Sequence, residues 1–164
     1  MKVLLLIRHA KASWDDISMK DFDRPLTERG KKDASEMAER VKEKVKVEHF
    51  VSSPAKRAKR TARAFAEAFG FGKDDLVLVE PLYEPTPQAF VDAVAALPDN
   101  KDVVALFSHN PAITEYVNLL TNVRIDDMPT GAVFAVATDE KSWSAFASAD
   151  KRFLFFDYPK NPIA

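Results

Sequence analysis

With 164 residues, the chain is long enough to fold as one domain with a sizeable core and needs no metal or disulfide for stability. Its net charge of -1 provides no overall attraction to nucleic acid, and the absence of cysteine excludes disulfides, thiol nucleophiles and thiolate metal sites. No apolar run could span a bilayer, and Met1–Ile7 lacks the length and cleavage site of a signal peptide. The sequence therefore predicts a single domain over residues 1–164, located in the cytoplasm and bound to neither nucleic acid nor membrane.

The first predicted element is a strand that ends in two reactive side chains. Val3–Ile7 is a continuous apolar run, which is typical of a strand buried on both faces of a sheet. Arg8 and His9 follow it directly, where ligands bind in open α/β sheets. A basic residue beside a possible nucleophile suits an anionic substrate, although a solvated strand end would look the same.

Helices and short strands alternate through the next part of the chain. A polar loop covers residues 10–23, and Thr27 is the expected N-cap of a helix with an apolar face from Ala34 to Val45. The following expected elements are a strand at His49–Val51, a helix capped by Ser53-Pro54 that ends at Gly70, a strand at Leu76–Val79, the proline-rich loop Pro81–Pro87, and a helix that buries Phe90, Val94 and Leu97.

The last part of the chain is predicted to be rich in strands. Val103–Phe107 is a second buried strand, and Ser108 or Asn110 caps the helix that follows. Three more strands are expected, at Ala132–Ala137, Ser142–Phe146 and Phe153–Phe156. Helices between strands followed by a β-rich end predict a three-layer α/β/α fold with a central mixed, mostly parallel sheet.

Four side chains that could bind an anion or act as a nucleophile lie at one edge of this predicted sheet: Arg8, His9, Arg57 and His109. Right-handed crossovers bring the carboxyl ends of parallel strands together. Arg57 is informative because a cation in the first turn of a helix opposes the helix dipole unless an anion lies nearby. The alternative is that Arg57 belongs to a solvated basic face within Lys56–Arg63, which is also the only basis for any nucleic-acid binding.

These residues lie in segments that resemble the histidine phosphatase superfamily, which also contains the cofactor-dependent phosphoglycerate mutases, and most of all its SixA-like phosphohistidine phosphatases. The resemblance implies the phosphoglycerate mutase-like fold. Ala10 stands where the superfamily usually has glycine, a departure that SixA-like members tolerate. The matching segments, in order, are Leu4–Asp15, Asp23–Gly30, Ser52–Ala58 with Thr61-Ala62, and Ser108–Pro111.

The resemblance implies a role for each of the four side chains. His9 is the nucleophile that takes a phosphoryl group, and water then hydrolyses the phosphohistidine enzyme to release inorganic phosphate. The nucleophile must be a neutral imidazole, which an unperturbed pKa of about 6.5 provides at neutral pH. Arg8, Arg57 and His109 hold the phosphoryl oxygens, and His109 is expected to be charged when phosphate is bound. Neither a metal nor a cofactor is expected.

Four further residues are weaker candidates. Glu84 lies roughly where ester-cleaving relatives carry a general acid, but it is also readable as a solvated loop carboxylate. Lys11, Arg24 and Asn110 are candidate rim contacts to a substrate, or ordinary surface and capping groups.

Three functions remain open on the sequence. The favoured one is a metal-independent phosphatase that acts on phosphohistidine in a protein, such as a histidine phosphotransfer domain. The second is a phosphomonoesterase for a small phosphate ester, which would need Glu84 as its acid. The third is a module that binds phosphate without turnover, and the presence of all four side chains argues against it.

Overall fold

The computed structural model describes residues 1–162, so residues 163 and 164 of the predicted 1–164 domain lie outside the described residues. None of the helices in this part of the chain is long and apolar enough to cross a membrane. The strands are β1 (Lys2–Arg8), β2 (His49–Ser52), β3 (Leu76–Leu78), β4 (Val103–Ser108), β5 (Val133–Thr138) and β6 (Arg152–Asp157). The α-helices are α1 (Glu28–Lys42), α2 (Lys56–Ala68), α3 (Pro87–Ala95) and α4 (Ala112–Leu120), with short 3-10 helices at Asp21–Asp23, Lys73–Asp75, Glu80–Leu82 and Trp143–Ser148.

The six strands form one mixed sheet in the order β3-β2-β4-β1-β5-β6. β1, β2, β3 and β4 run parallel, whereas β5 is antiparallel to both of its neighbours. In the centre, Arg8 of β1 pairs with Ser108 of β4, so these two strands end at the same level. The predicted mixed, mostly parallel sheet is confirmed.

The sheet is covered on both faces because its central strands are apolar on both sides. In β1, Leu4 and Leu6 pack on one side with residues of α3 and α4. Val3, Leu5 and Ile7 pack on the other side with residues of α1 and α2. Burying each side chain of this size contributes about 1.5–3 kcal/mol. The predicted three-layer α/β/α arrangement is therefore confirmed, with β1 at its centre.

The predicted strand at Ser142–Phe146 is wrong, because a 3-10 helix occupies Trp143–Ser148. Trp143 and Phe146 are both buried in the same core, and their ring centroids are 5.7 Å apart. Residues three apart share a face in a 3-10 helix but lie on opposite faces of a strand. The spacing of these two aromatic residues therefore fits a helical turn and not a strand.

One of the two predicted N-caps in the first half of the chain is confirmed. The Thr27 side chain accepts a hydrogen bond from the Gly30 amide at 2.9 Å, as expected at the start of α1. The prediction that Ser53 caps α2 is wrong, because the N-cap is Ala55, which has no side-chain acceptor. The Ser53 hydroxyl lies 2.7 Å from the ring of His109 instead.

The predicted cap of α4 is also wrong. The N-cap is Pro111, and neither Ser108 nor Asn110 bonds the free amides of the helix. The Ser108 hydroxyl donates to the carbonyl of Leu82 at 2.7 Å, and the Asn110 side chain accepts from the Thr114 hydroxyl at 2.6 Å. Both side chains are engaged in contacts that hold the loop in place beside the ends of the strands.

Candidate active site

The carboxyl ends of β1, β2 and β4 bring the four predicted side chains together. Arg8 ends β1 and His9 follows it, Arg57 lies in the first turn of α2 after β2, and His109 follows β4. The amide of His9 donates to the carbonyl of Ser108 at 3.2 Å, which joins the two histidine-bearing segments. All four side chains line one cavity of about 310 Å³.

The lining of this cavity is cationic and contains no carboxylate. The predicted rim residues Lys11, Arg24 and Asn110 are part of it, but Glu84 is not. Glu84 is exposed and has a positive φ of 52°. Such a lining favours an anion over a metal cation. Elsewhere in residues 1–162, too, no group of three or more histidine or carboxylate side chains could hold a metal ion. The remaining lining residues are Ala12, Trp14 and Thr130.

His9 is held as a neutral ring with one free nitrogen. Its Nδ1 lies 2.8 Å from the carbonyl oxygen of Ala10. A carbonyl oxygen only accepts, so Nδ1 carries the proton and Nε2 keeps its lone pair. Burial lowers the pKa of His9 to about 3, and the charges of nearby His109, Arg57 and Arg8 act in the same direction. The ring is therefore an unprotonated nucleophile at neutral pH.

His109 lies beside His9, with the two ring centroids 5.1 Å apart. Its Nε2 is 2.7 Å from the Ser53 hydroxyl, which itself accepts from the Ala55 amide at 3.2 Å. The hydroxyl proton is therefore free to bond Nε2, which leaves the ring proton of neutral His109 on Nδ1. Burial, followed by the charge of Arg57, lowers the pKa of His109 to about 3. The predicted positive charge would thus require a bound phosphate, but the neutral ring can already donate a hydrogen bond.

Arg57 is held by a carboxylate that the sequence did not single out. Its Nη1 donates to the Asp21 carbonyl at 2.7 Å, and its Nη2 donates to the Asp21 carboxylate at 3.0 Å. The Tyr83 hydroxyl donates to the same carboxylate at 2.7 Å, and Arg24 at 3.2 Å. Burial opposes ionisation of Asp21, but these bonds outweigh it and hold the pKa of Asp21 at about 2. The carboxylate is therefore charged and fixes the outer edge of the guanidinium.

Three buried nitrogen atoms around the cavity have no hydrogen-bond partner among the described residues: Arg8 Nε, Arg57 Nε and His109 Nδ1. Another nitrogen of Arg8, Nη1, donates a hydrogen bond to the Met128 carbonyl at 2.7 Å. A buried unpaired donor costs about 1–3 kcal/mol, so three in one cavity favour a ligand rich in acceptors. A tetrahedral oxyanion has acceptor oxygens for each of them.

Asp21, Tyr83 and Ser53 are the site residues that sequence reasoning missed. The cost of placing Arg57 at a helix N-terminus was a signal that an anion lies nearby. However, the loop over residues 10–23 contains four aspartates, and nothing in their spacing distinguishes Asp21. Ser53 was noticed, but as a helix cap.

Comparison with known proteins shows which proteins the chain resembles. A sequence profile of the histidine phosphatase superfamily (branch 1) matches residues 4–84. The chain is 27% identical over 154 residues to an uncharacterized chloroplastic protein of Arabidopsis thaliana. The alignment covers 88% of this chain and 70% of that protein.

Solved structures share the fold over almost the whole chain. A protein from Nakamurella multipartitia assigned as the phosphohistidine phosphatase SixA has a TM-score of 0.83 at 22% identity, covering 98% of this chain and 97% of that one. The protein histidine phosphatase SixA bound to tungstate has a TM-score of 0.79 at 24% identity, covering 96% and 97%. Over residues 4–84 the chain is therefore similar to the histidine phosphatase superfamily, and over almost its whole length it shares the fold of these two structures.

Proposed function

We propose that this protein hydrolyses phosphohistidine in a protein substrate through a phosphoryl group carried on His9. The observation that carries the proposal is the cavity itself: neutral His9 faces it together with three buried nitrogen atoms that have no hydrogen-bond partner within residues 1–162. The similarity of residues 4–84 to the histidine phosphatase superfamily supports phosphatase chemistry with a histidine nucleophile. A cytoplasmic location stays a prediction from the sequence.

In the first step, Nε2 of His9 attacks the phosphorus atom and forms a P–N bond. The bond from phosphorus to the donor imidazole breaks, its electron pair stays on the donor nitrogen, and that nitrogen takes a proton from water. Charge on the three equatorial oxygens is stabilised by Arg8, Arg57 and His109, whose fixed positions need no rearrangement. The phosphoryl group then resides on His9.

In the second step, a water molecule attacks the same phosphorus atom from the side that the donor has left. The bond to Nε2 breaks and its electron pair returns to Nε2, which makes the His9 ring neutral again, and the attacking water loses a proton to solvent. Inorganic phosphate is released. Every group in the two steps belongs to the chain, the substrate or water, so we propose that the reaction is metal-independent.

The lining of the cavity favours phosphohistidine over an alkyl phosphate. An alkoxide leaving group needs a proton from a positioned acid, and no carboxylate lines the cavity. Glu84, the predicted acid, is exposed and outside the lining. The P–N bond of phosphohistidine is weak and releases imidazole, which needs less help. These facts make the small-ester phosphomonoesterase the less favoured function.

Substitution of the nucleophile tests the proposal. We expect His9→Gln to reduce turnover of a phosphohistidine peptide by at least about 10³-fold, because no other group can accept the phosphoryl. His49→Gln is the matched control, since His49 begins β2 and does not line the cavity. The wild type, but not His9→Gln, should retain acid-labile ³²P on the protein after a brief reaction. Full turnover by His9→Gln would refute the assignment, and phosphate binding by the wild type without labelling would favour a recognition module.

A second variant separates the two enzymatic functions. We expect Glu84→Gln to leave phosphohistidine hydrolysis within about twofold of the wild type, because the exposed carboxylate does not reach the cavity. Rates are measured on a phosphohistidine peptide and on an alkyl phosphate. A loss of about 10²-fold on the alkyl phosphate, together with faster wild-type turnover of that ester, would support the phosphomonoesterase instead.

A further inference from the structure

A row of cations on α2 has no role in the mechanism. Lys56, Lys59, Arg60 and Arg63 form this row, which we call the basic ridge. Only Arg63 has an ion-pair partner among residues 1–162, namely Glu67 at 3.0 Å. The other three cations have no carboxylate within ion-pair distance in that part of the chain.

The position of the ridge near the N-terminus of α2 is electrostatically unfavourable for the protein without a bound anion. The first turn of α2 contains no acidic residue, and its N-cap Ala55 has no side-chain acceptor. Lys56 and Lys59 thus face the positive end of the helix dipole, at a cost of a few tenths to about 1 kcal/mol each. Asp21 offsets the charge of Arg57, but no described carboxylate offsets these two lysines. An external anion would offset them.

Two grooves flank the ridge, with volumes of about 440 and 400 Å³. Each combines basic walls with apolar floor residues, such as Leu26 and Ala34 in the first and Phe22 and Leu78 in the second. Leu78, on the edge strand β3, is 47% exposed. The cations around the two grooves are Lys31, Lys56, Lys59, Arg60, Arg63 and Lys73, against the carboxylates of Asp23, Glu67 and Asp74.

The ridge begins at the candidate active site. Lys56 and Arg57 are adjacent in the chain, and Arg57 lines the cavity while Lys56 lines both grooves. From Arg57 to Arg63 the helix rises about 9 Å. A macromolecule that presents a phosphohistidine to His9 therefore has neighbouring residues within reach of the ridge.

We propose that the basic ridge and its two grooves dock an acidic face of the phosphoprotein substrate, close to its phosphohistidine. This inference rests on the proposed function and adds the chemistry of the partner. Mixed cationic and apolar lining suits a protein surface that carries Asp and Glu among apolar side chains. A nucleic acid would match the charge but leave the apolar floor unfilled, and it is therefore the alternative outcome of the test.

The experiment compares two double variants with equal changes in net charge. Lys59→Glu with Arg60→Glu reverses the charge of two of the four ridge residues. Lys46→Glu with Lys141→Glu reverses two exposed lysines in loops that have no ion pair among the described residues. The substrates are free phosphohistidine and two phosphohistidine peptides of equal length, one flanked by Asp and Glu and one by Lys.

We expect the wild type to hydrolyse the acidic peptide with a kcat/KM about tenfold higher than the lysine peptide in low salt, and the preference to fade as salt is raised. The ridge variant should lose this preference while hydrolysing free phosphohistidine at the wild-type rate. The loop variant should behave as the wild type does. Equal kcat/KM for both peptides in the wild type, or an unchanged preference in the ridge variant, would overturn the docking proposal.

A binding arm separates this proposal from the proposed function. Fluorescence anisotropy measures binding of the unphosphorylated acidic peptide and of a single-stranded oligonucleotide. Peptide binding that only the ridge variant loses supports docking even if phosphohistidine is not hydrolysed, in which case the proposed function alone fails. Tighter binding of the oligonucleotide, lost in the same variant, would assign the ridge to nucleic acid and refute the inference.

Discussion

Arg57 lies both at the N-terminus of α2 and in the lining of the candidate active site. A cation at a helix N-terminus is costly without an anion, and the fold supplies that anion from the loop over residues 10–23. The Asp21 carboxylate holds one edge of the guanidinium, while Nε on the other edge has no partner among the described residues. We interpret Asp21 as a positioning residue, because it orients Arg57 and does not line the cavity.

This interpretation predicts a split in the kinetics of Asp21→Asn. We expect kcat to fall about tenfold, because loss of one charge-assisted hydrogen bond, worth about 1.4 kcal/mol, lets the guanidinium move out of line. Inhibition by inorganic phosphate should become tighter, since Arg57 no longer shares its charge with a carboxylate. Steady-state kinetics with phosphate as product inhibitor measures both effects.

Asp23→Asn is the control for that variant. Asp23 lies in the same 3-10 helix, and its carboxylate makes no hydrogen bond or ion pair to another residue within 1–162. Both constants should match the wild type in this control. If Asp21→Asn behaves like Asp23→Asn, then Asp21 has no positioning role.

A site residue could be predicted where the sequence pattern directly around it determines its position, and could not be predicted where packing between distant segments does. Arg8 ends a buried strand, and His9 and His109 each follow one, so their position at one sheet edge follows from the hydrophobic pattern and the handedness of the crossovers. The position of Asp21 depends on where the loop over residues 10–23 lies over that edge, which is a long-range packing result. No periodicity within the loop encodes it. Ser53 directly follows β2, and what the sequence could not show is its contact with His109.

Among the elements, the start of α1 is tightly fitted to the loop that follows His9. A Cβ atom on Gly30 would lie 2.1 Å from the Lys11 carbonyl oxygen, far inside van der Waals contact. The same carbonyl accepts a hydrogen bond from the Thr27 amide at 2.9 Å. Glycine at position 30 is therefore what allows the helix end and the loop to approach so closely.

Gly30→Ala should consequently destabilise the protein by about 1–3 kcal/mol, because the clash is with backbone and the helix end or the loop must shift. Urea unfolding, followed by circular dichroism, measures the change. Gly72→Ala is the matched control, since the nearest atom to its added Cβ is a carboxylate oxygen at 3.8 Å and its φ of -104° suits alanine. A free energy of unfolding for Gly30→Ala equal to that of the control would show that the close fit is not needed.

The wrong prediction at Ser142–Phe146 also belongs to the scale of elements. Five residues with two aromatic side chains are too few for periodicity to separate a strand from a helical turn. What decides is the core next to α3, where Trp143 and Phe146 pack side by side. The Trp143 ring nitrogen also donates to the Lys101 carbonyl at 2.7 Å, a contact that only the folded chain supplies. The burial of β1 and β4, by contrast, follows from continuous apolar runs in the sequence.

At the scale of the whole molecule, the two buried histidines couple the site to acid stability. His9 and His109 are 7% and 5% exposed, and burial lowers the pKa of each to about 3. In the unfolded chain each would titrate at about 6.5, so the unfolded state binds more protons as the pH falls below that value. Their shifted pKa values therefore destabilise the fold progressively from about pH 6.5 downward.

We expect one such histidine to remove about 2 kcal/mol of stability between pH 7 and pH 5, because over that range it takes up a proton only when the chain unfolds. His109→Asn should therefore lose about 2 kcal/mol less than the wild type between these pH values, whatever its stability at pH 7. Urea unfolding at both pH values in phosphate-free buffer measures this, since bound phosphate would itself stabilise the fold. An equal loss in the variant and the wild type would mean that His109 is protonated in the folded protein at pH 5, and that its charge is tolerated beside Arg57 without a bound oxyanion.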